Sequence, residues 1–206
     1  MEIGEVKMFD RLSAPLNLTC DFDESLILAF DYFNKTFDNS NRRPNLFGKD
    51  IFIEKHEIIS GWPAGFWHIV SIEDNHHFRV LPCSNDINID LCKENCNKNV
   101  HQIKIKNGVE TRNICLLRAS RLPWIIDIIN LANQKDPLIK IWLKPGNGPS
   151  NGKLYLRYQH NGADYIVIFS AEKRFYRLIS AFPVFYVNEK EAFAKDYITY
   201  VWSFTG

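Results

Sequence analysis

Apolar and polar positions alternate most clearly in the last third of the chain, from Lys153 to Val184. Three runs rich in Tyr, Ile, Val, Leu and Phe are separated by two short polar breaks, Asn161-Gly162-Ala163-Asp164 and Glu172-Lys173-Arg174. In the first run Leu154, Leu156 and Tyr158 point one way, and Tyr155, Arg157 and Gln159 the other. Such runs with short connections predict antiparallel hairpins joined into a meander. Leu138–Leu143 supplies a fourth strand, and Leu122, Ile125, Ile126, Ile129 and Ala132 before it have helical spacing. The sequence therefore predicts an α+β fold, in which a helix around 119–134 packs on a four-strand antiparallel meander.

Nearer the amino end, Phe22, Leu26, Phe30, Phe33 and Phe37 recur at intervals of four and three. They predict a helix capped by Asp21 or Asp23 and stopped at the breakers from Asn39 to Pro44. Asp50–Glu54 reads as a short strand. After the Gly/Pro-rich link Ser60–Gly65, Phe66–Ile72 reads as another, with His68 inside it. Residues 73–113 are polar, rich in Asn and without a clear period, and read as an irregular insertion. Asn188–Tyr200 has helical spacing at Ala192, Phe193 and Tyr197 and should pack back on the sheet. The division expected is 1–60, an N-terminal helical lead-in, and 61–206, the α+β domain carrying the insertion at about 73–113.

Composition narrows the classes. With 206 residues, 15 Phe, 8 Tyr and 5 Trp, the chain has the means to bury a core. It holds no apolar run of membrane-spanning length, and its opening residues lack a stretch suited to secretion. A cytoplasmic protein without a membrane partner is the expectation. The net charge of +1 conceals a division: residues 101–180 carry 13 Lys/Arg against 5 Asp/Glu, or +8, and the remainder 12 against 19, or −7. A basic half suits contact with phosphates, while an acidic part docked on a basic part of the same fold accounts for it equally well. Five cysteines point to reduced thiols or a metal site rather than a disulfide framework. Cys83, Cys92, Cys96 and His101 have a spacing that a structural zinc ion accepts, with His76 or His77 as substitute ligands.

Three patterns occur in order: Gly65–Ile69 (GFWHI), Arg118–Trp124 (RASRLPW), and Leu178–Val184 (LISAFPV) followed by Glu189–Tyr197 (EKEAFAKDY). Together they resemble the phage- and mobile-element-associated proteins of the barnase–EndoU–colicin–RelE superfamily of nucleases, over roughly residues 61–200. The resemblance implies a histidine strand, an Arg-rich helix start and a four-strand meander. It matches His68 to the family histidine and Arg118 and Arg121 to its paired arginines. Ser180-Ala181-Phe182 stands where the family often has Thr-Ala-Tyr, so the hydroxyl is kept and the phenol lost. Ser120 stands where an acidic residue often lies between the arginines.

The function so implied is a metal-independent endoribonuclease, a toxin or phage-defence type effector acting on RNA such as tRNA. Cleavage needs a base for the 2′-OH, a cation for the phosphorane and an acid for the leaving oxygen. His68 would serve as acid or base, Arg118 or Arg121 would hold the phosphate, and Tyr158, Tyr176 and Ser180 would donate hydrogen bonds. Arg157, His160 and Lys153 are candidate substrate contacts on the same sheet. The chemistry requires no cofactor, and zinc would be structural. An antitoxin or other protein is the second expected partner. Two other readings stay open: a non-catalytic module of the same fold that binds nucleic acid or protein, and a zinc-stabilised structural protein.

Overall fold

The computed structural model describes residues 11–18, 21–37, 44–59, 61–73, 100–105, 108–146 and 152–201, without the side chains of residues 22, 73, 100–105 and 108–111. In chain order the elements are α1 (Phe22–Phe37), β1 (Asn45–Leu46), β2 (Lys49–Phe52), β3 (Ile58–Ile59), β4 (Trp62–Pro63), α2 (Ala64–Val70) and β5 (Ser71–Glu73). They continue as β6 (Val100–Ile105), β7 (Gly108–Ile114), α3 (Leu116–Ser120), α4 (Leu122–Asn133) and β8 (Ile139–Lys144). The chain closes with β9 (Lys153–His160), β10 (Ala163–Ala171), β11 (Phe175–Pro183) and α5 (Val187–Tyr200).

The alternating carboxyl-terminal runs form the antiparallel meander β8-β9-β10-β11. Asn161 and Gly162 turn β9 into β10 with φ of 48° and 81°. This is the two-residue hairpin geometry that Asn-Gly favours. Between β10 and β11 the register shifts at Ile168/Phe169, a bulge that leaves Ser180 opposite Ile168 and Leu178 opposite Phe169. The sheet does not end with the meander. Near the start of β11, β2 joins in parallel, with Tyr176 opposite Ile51, and β1 pairs antiparallel outside it. The result is a six-stranded mixed sheet in the order β1-β2-β11-β10-β9-β8, rather than an all-antiparallel one.

Alternation gives this sheet two apolar faces. Leu154, Leu156, Tyr158, Tyr165, Val167 and Phe169 face the main core. Against them lie Leu122, Trp124, Ile125, Ile128 and Ile129 of α4, and Leu26, Phe33 and Phe37 of α1 join the same cluster. The Asp21 carboxylate caps α1 by accepting from Glu24 N at 2.8 Å. The opposite face carries Trp142, Tyr155 and Ile166, on which Phe193, Tyr197 and Tyr200 of α5 pack. Trp142 and Tyr155 stack at 4.9 Å with planes 1° apart. Truncating one buried Trp or Phe here would cost about 3–5 kcal/mol.

Two local expectations are corrected. Phe66–Ile72 is not a strand: Ala64–Val70 is helical, and only from Ser71 does the chain extend. Within α2 all residues are buried except His68, the signature of a short helix sunk in a core. A brief apolar run fits a strand or a buried helix equally, so its period could not decide between them. Contacts decide: Trp67 Nε1 donates to Ile59 O at 2.8 Å, and Gly65 N to Glu54 O at 2.9 Å. The second correction concerns the irregular insertion at 73–113, whose later part holds the hairpin β6-β7 with β5 on the outer side of β7. Here Ile103 and Ile105 alternate with polar residues along β6, and Ile105 stands opposite Gly108 at the start of β7. Among the described residues no helix is long and apolar enough to cross a membrane.

Candidate functional site

Beyond Arg177, β2 no longer pairs with β11, and α2 and α3 pack along the second half of that strand. The site candidates gather there. His68 is the exposed residue of α2, and its carbonyl oxygen accepts a 3.5 Å hydrogen bond from Ser180 Oγ. That bond brings Ser180 and the main chain of His68, both singled out in the sequence, to one junction.

Arg118 approaches the same junction from α3. Its Nη1 donates to Ser71 O at 2.8 Å, and its guanidinium lies over the Phe182 ring at 5.0 Å from the centroid. Phe182 is two residues beyond Ser180 on the same face of β11, so the Arg118 side chain and the His68 main chain reach neighbouring positions of that strand. Burial pushes the Arg118 pKa down from its ordinary value and neighbouring Arg112 adds to that, while Cys115, Tyr165 and Glu189 oppose it. A guanidinium stays charged throughout the accessible range, so the shift means a costly cation, not a neutral one.

Arg121, its sequence partner, faces inward. It is 1% exposed, donates to Leu117 O at 3.2 Å and lies over the Trp124 ring at 4.8 Å. Tyr158 and Tyr176 are buried in the main core, and burial raises the Tyr176 pKa. Arg157 lies on the α5 face, where it clasps the Asp164 carboxylate through Nε at 2.8 Å and Nη2 at 2.7 Å and donates to Lys190 O at 3.3 Å. Lys153 and His160 occupy opposite ends of β9, about 23 Å apart at strand rise. The His68 main chain, Arg118 and Ser180 therefore come to one stretch of β11, Arg121 is buried against Leu117 and Trp124, and the remaining sheet residues are dispersed. Of the zinc candidates, Cys83, Cys92 and Cys96 lie outside the described residues, and His101 falls on β6 with its side chain outside the description.

Three neighbours of this junction escaped the sequence reading. Ser71 is fully buried beneath Arg118. Arg112, on β7, donates through Nε to Ser71 Oγ at 2.7 Å. Glu189, in the first turn of α5, is a carboxylate that attracts Arg118. Recognising the β6-β7 hairpin would have marked Arg112 as a strand residue; nothing local marks Ser71 or Glu189. No known family model matches the chain, and neither a curated protein nor a solved structure does.

Proposed function

We propose that the chain is an endoribonuclease of the metal-independent kind, a toxin or phage-defence effector working in the cytoplasm, with its site at the α2–α3–β11 junction. The observation that carries this reading is that His68, exposed and with its carbonyl accepting from Ser180 Oγ, and Arg118, lying over Phe182 two residues beyond Ser180, come to the same stretch of β11. His68 moves the proton, as base on the 2′-OH or acid on the leaving 5′-oxygen, and Glu189 is the nearby carboxylate for the complementary step. Arg118 faces the charge that develops on the phosphorane, and Ser180 donates to a phosphate oxygen once it leaves the His68 carbonyl.

Cleavage of RNA in the presence of EDTA is the direct test. His68→Ala should lose about 10²–10⁴-fold in rate while keeping RNA affinity. Unchanged cleavage in that variant, or none with any RNA, would remove the enzyme reading. The burial of Arg121, Tyr158 and Tyr176 favours the second reading, a non-catalytic RNA-binding module that keeps Arg118 and loses the acid–base apparatus. That module predicts RNA binding without cleavage, indifferent to His68→Ala.

A further inference from the structure

Among the described residues the two most exposed large apolar side chains stand on one helix, α5: Ile198 at 78% and Val187 at 70%. The helix docks on the sheet through Phe193 and Tyr197, which pack against Trp142. On the side turned away from that contact, Val187, Glu191, Ala194 and Ile198 follow at intervals of four, three and four, and Lys195 flanks the same stripe. Glu191 and Lys195 are both exposed, and among the described residues neither side chain has an ion-pair partner.

A single apolar residue on a surface needs no partner to explain it. Here two of them end a stripe whose middle holds one acidic and one basic residue a turn apart, and that order is its own complement. Turned antiparallel about a two-fold axis near residue 193, a second α5 sets its Ile198 against Val187 and its Lys195 against Glu191. The symmetry then repeats both contacts at the other end, about 16 Å along the helix. The apolar pair and the charged pair ask for the same registration to within one residue. A parallel pairing would instead set Glu191 against Glu191 and Lys195 against Lys195, which repel.

We infer that the outward face of α5 is a homodimer interface, on which a second copy of this chain lays its own α5 antiparallel. Two helices of about four turns each bury an area at the small end of specific interfaces, so association in the micromolar range is expected. The proposal stands apart from the RNA reading.

The test is sedimentation velocity of the full chain from about 1 to 500 µM, a span that brackets such an equilibrium. The mass should rise from one copy toward two across the range. Val187→Asp with Ile198→Asp should hold the chain monomeric throughout. Both positions are exposed in the single chain, so circular dichroism and thermal melting of the dilute variant should match wild type. Glu191→Lys and Lys195→Glu should each weaken self-association, because each sets like charges face to face. An equimolar mixture of those two variants should associate more tightly than either alone, and the doubly exchanged chain should dimerise as wild type does. A chain that stays monomeric at the highest concentration overturns the inference. A dimer untouched by Val187→Asp with Ile198→Asp places the interface elsewhere and overturns it equally. A dimer lost in the aspartate variant but indifferent to the charge exchanges overturns the antiparallel registration.

Discussion

At the scale of single residues, Arg157 marks the boundary between what a sequence states and what it withholds. Strand alternation correctly sets it opposite Leu156 and Tyr158, and a basic residue on a sheet invites the reading of a substrate contact. Its partner is instead Asp164, opposite Gln159 in the register and so a diagonal neighbour of Arg157 on the same face. Both side chains are nearly inaccessible, at 2% and 7%, and the pair is bidentate. Removing one partner strands a buried charge. Arg157→Met is expected to lower the unfolding free energy by about 3–5 kcal/mol in urea titration, and Arg157→Met with Asp164→Leu to recover much of it. Equal losses in the single and double variants would mean that side-chain packing, not charge pairing, holds this corner. Gly65 is a case the sequence could not have flagged as more than a link residue. A Cβ there would lie 2.6 Å from Glu54 O and 2.7 Å from Ile53 Cγ1. Only glycine lets α2 approach the Ile53-Glu54 segment that follows β2 this closely, so the position of His68 depends on it.

At the scale of elements, the long periodic segments were readable and the short one was not. The phenylalanine repeat fixes α1 over sixteen residues with its cap, and four alternating runs give the meander. The seven residues of α2 offer fewer than two turns of period, and burial of all but His68 left no amphipathic signature to separate helix from strand. The segment 11–18 is held by the buried Leu12 and Leu18 and by polar anchors that no period marks. Ser13 N and Oγ donate to the Asp127 carboxylate at 2.7 and 3.1 Å, Trp124 Nε1 donates to Ser13 O at 2.9 Å, and Leu16 N bonds Ser120 O at 2.7 Å. Burial raises the Asp127 pKa above the ordinary carboxylate value, with the two Ser13 bonds opposing it. The folded chain therefore keeps this proton where the unfolded chain has lost it. Stability falls as pH rises through that window, just above the ordinary carboxylate range, and the loss is complete once the folded group has ionised. Asp127→Asn should remove this component. The difference between urea midpoints of variant and wild type is expected to change as pH rises from the ordinary carboxylate value and to be flat once the folded group has ionised. A pH-independent difference would show that Asp127 ionises alike in both states.

At the scale of the whole molecule, the order of the sheet was hidden because β2 contributes only three register pairs to β11, from more than a hundred residues away. No local pattern encodes such a pairing. The same sheet distributes stability unevenly. β10 lies between β9 and β11 and is buried along most of its length, whereas α5 has no fully buried residue. α5 is held by Lys144–Asp196 at 2.9 Å, by Arg157 on Lys190 O, and by edge contacts of Phe193 and Tyr197 with Trp142, each at 6.1 Å. Trp142 Nε1 beneath it is buried without a hydrogen-bond partner among the described residues, which subtracts from the gain of docking. α5 should therefore open as its own unit. Native-state hydrogen exchange is expected to give α5 amides an opening free energy below the global value, with a shallow denaturant slope, and β10 amides the global value. Asp196→Ala should lower protection along α5 and leave β10 nearly unchanged, because the Lys144 bridge is half-exposed and modest in strength. Exchange of α5 and β10 with one free energy and one slope would instead make the helix part of a single cooperative core. The Arg118–Glu189 attraction would then be a fixed feature of the site rather than one that comes and goes with the helix.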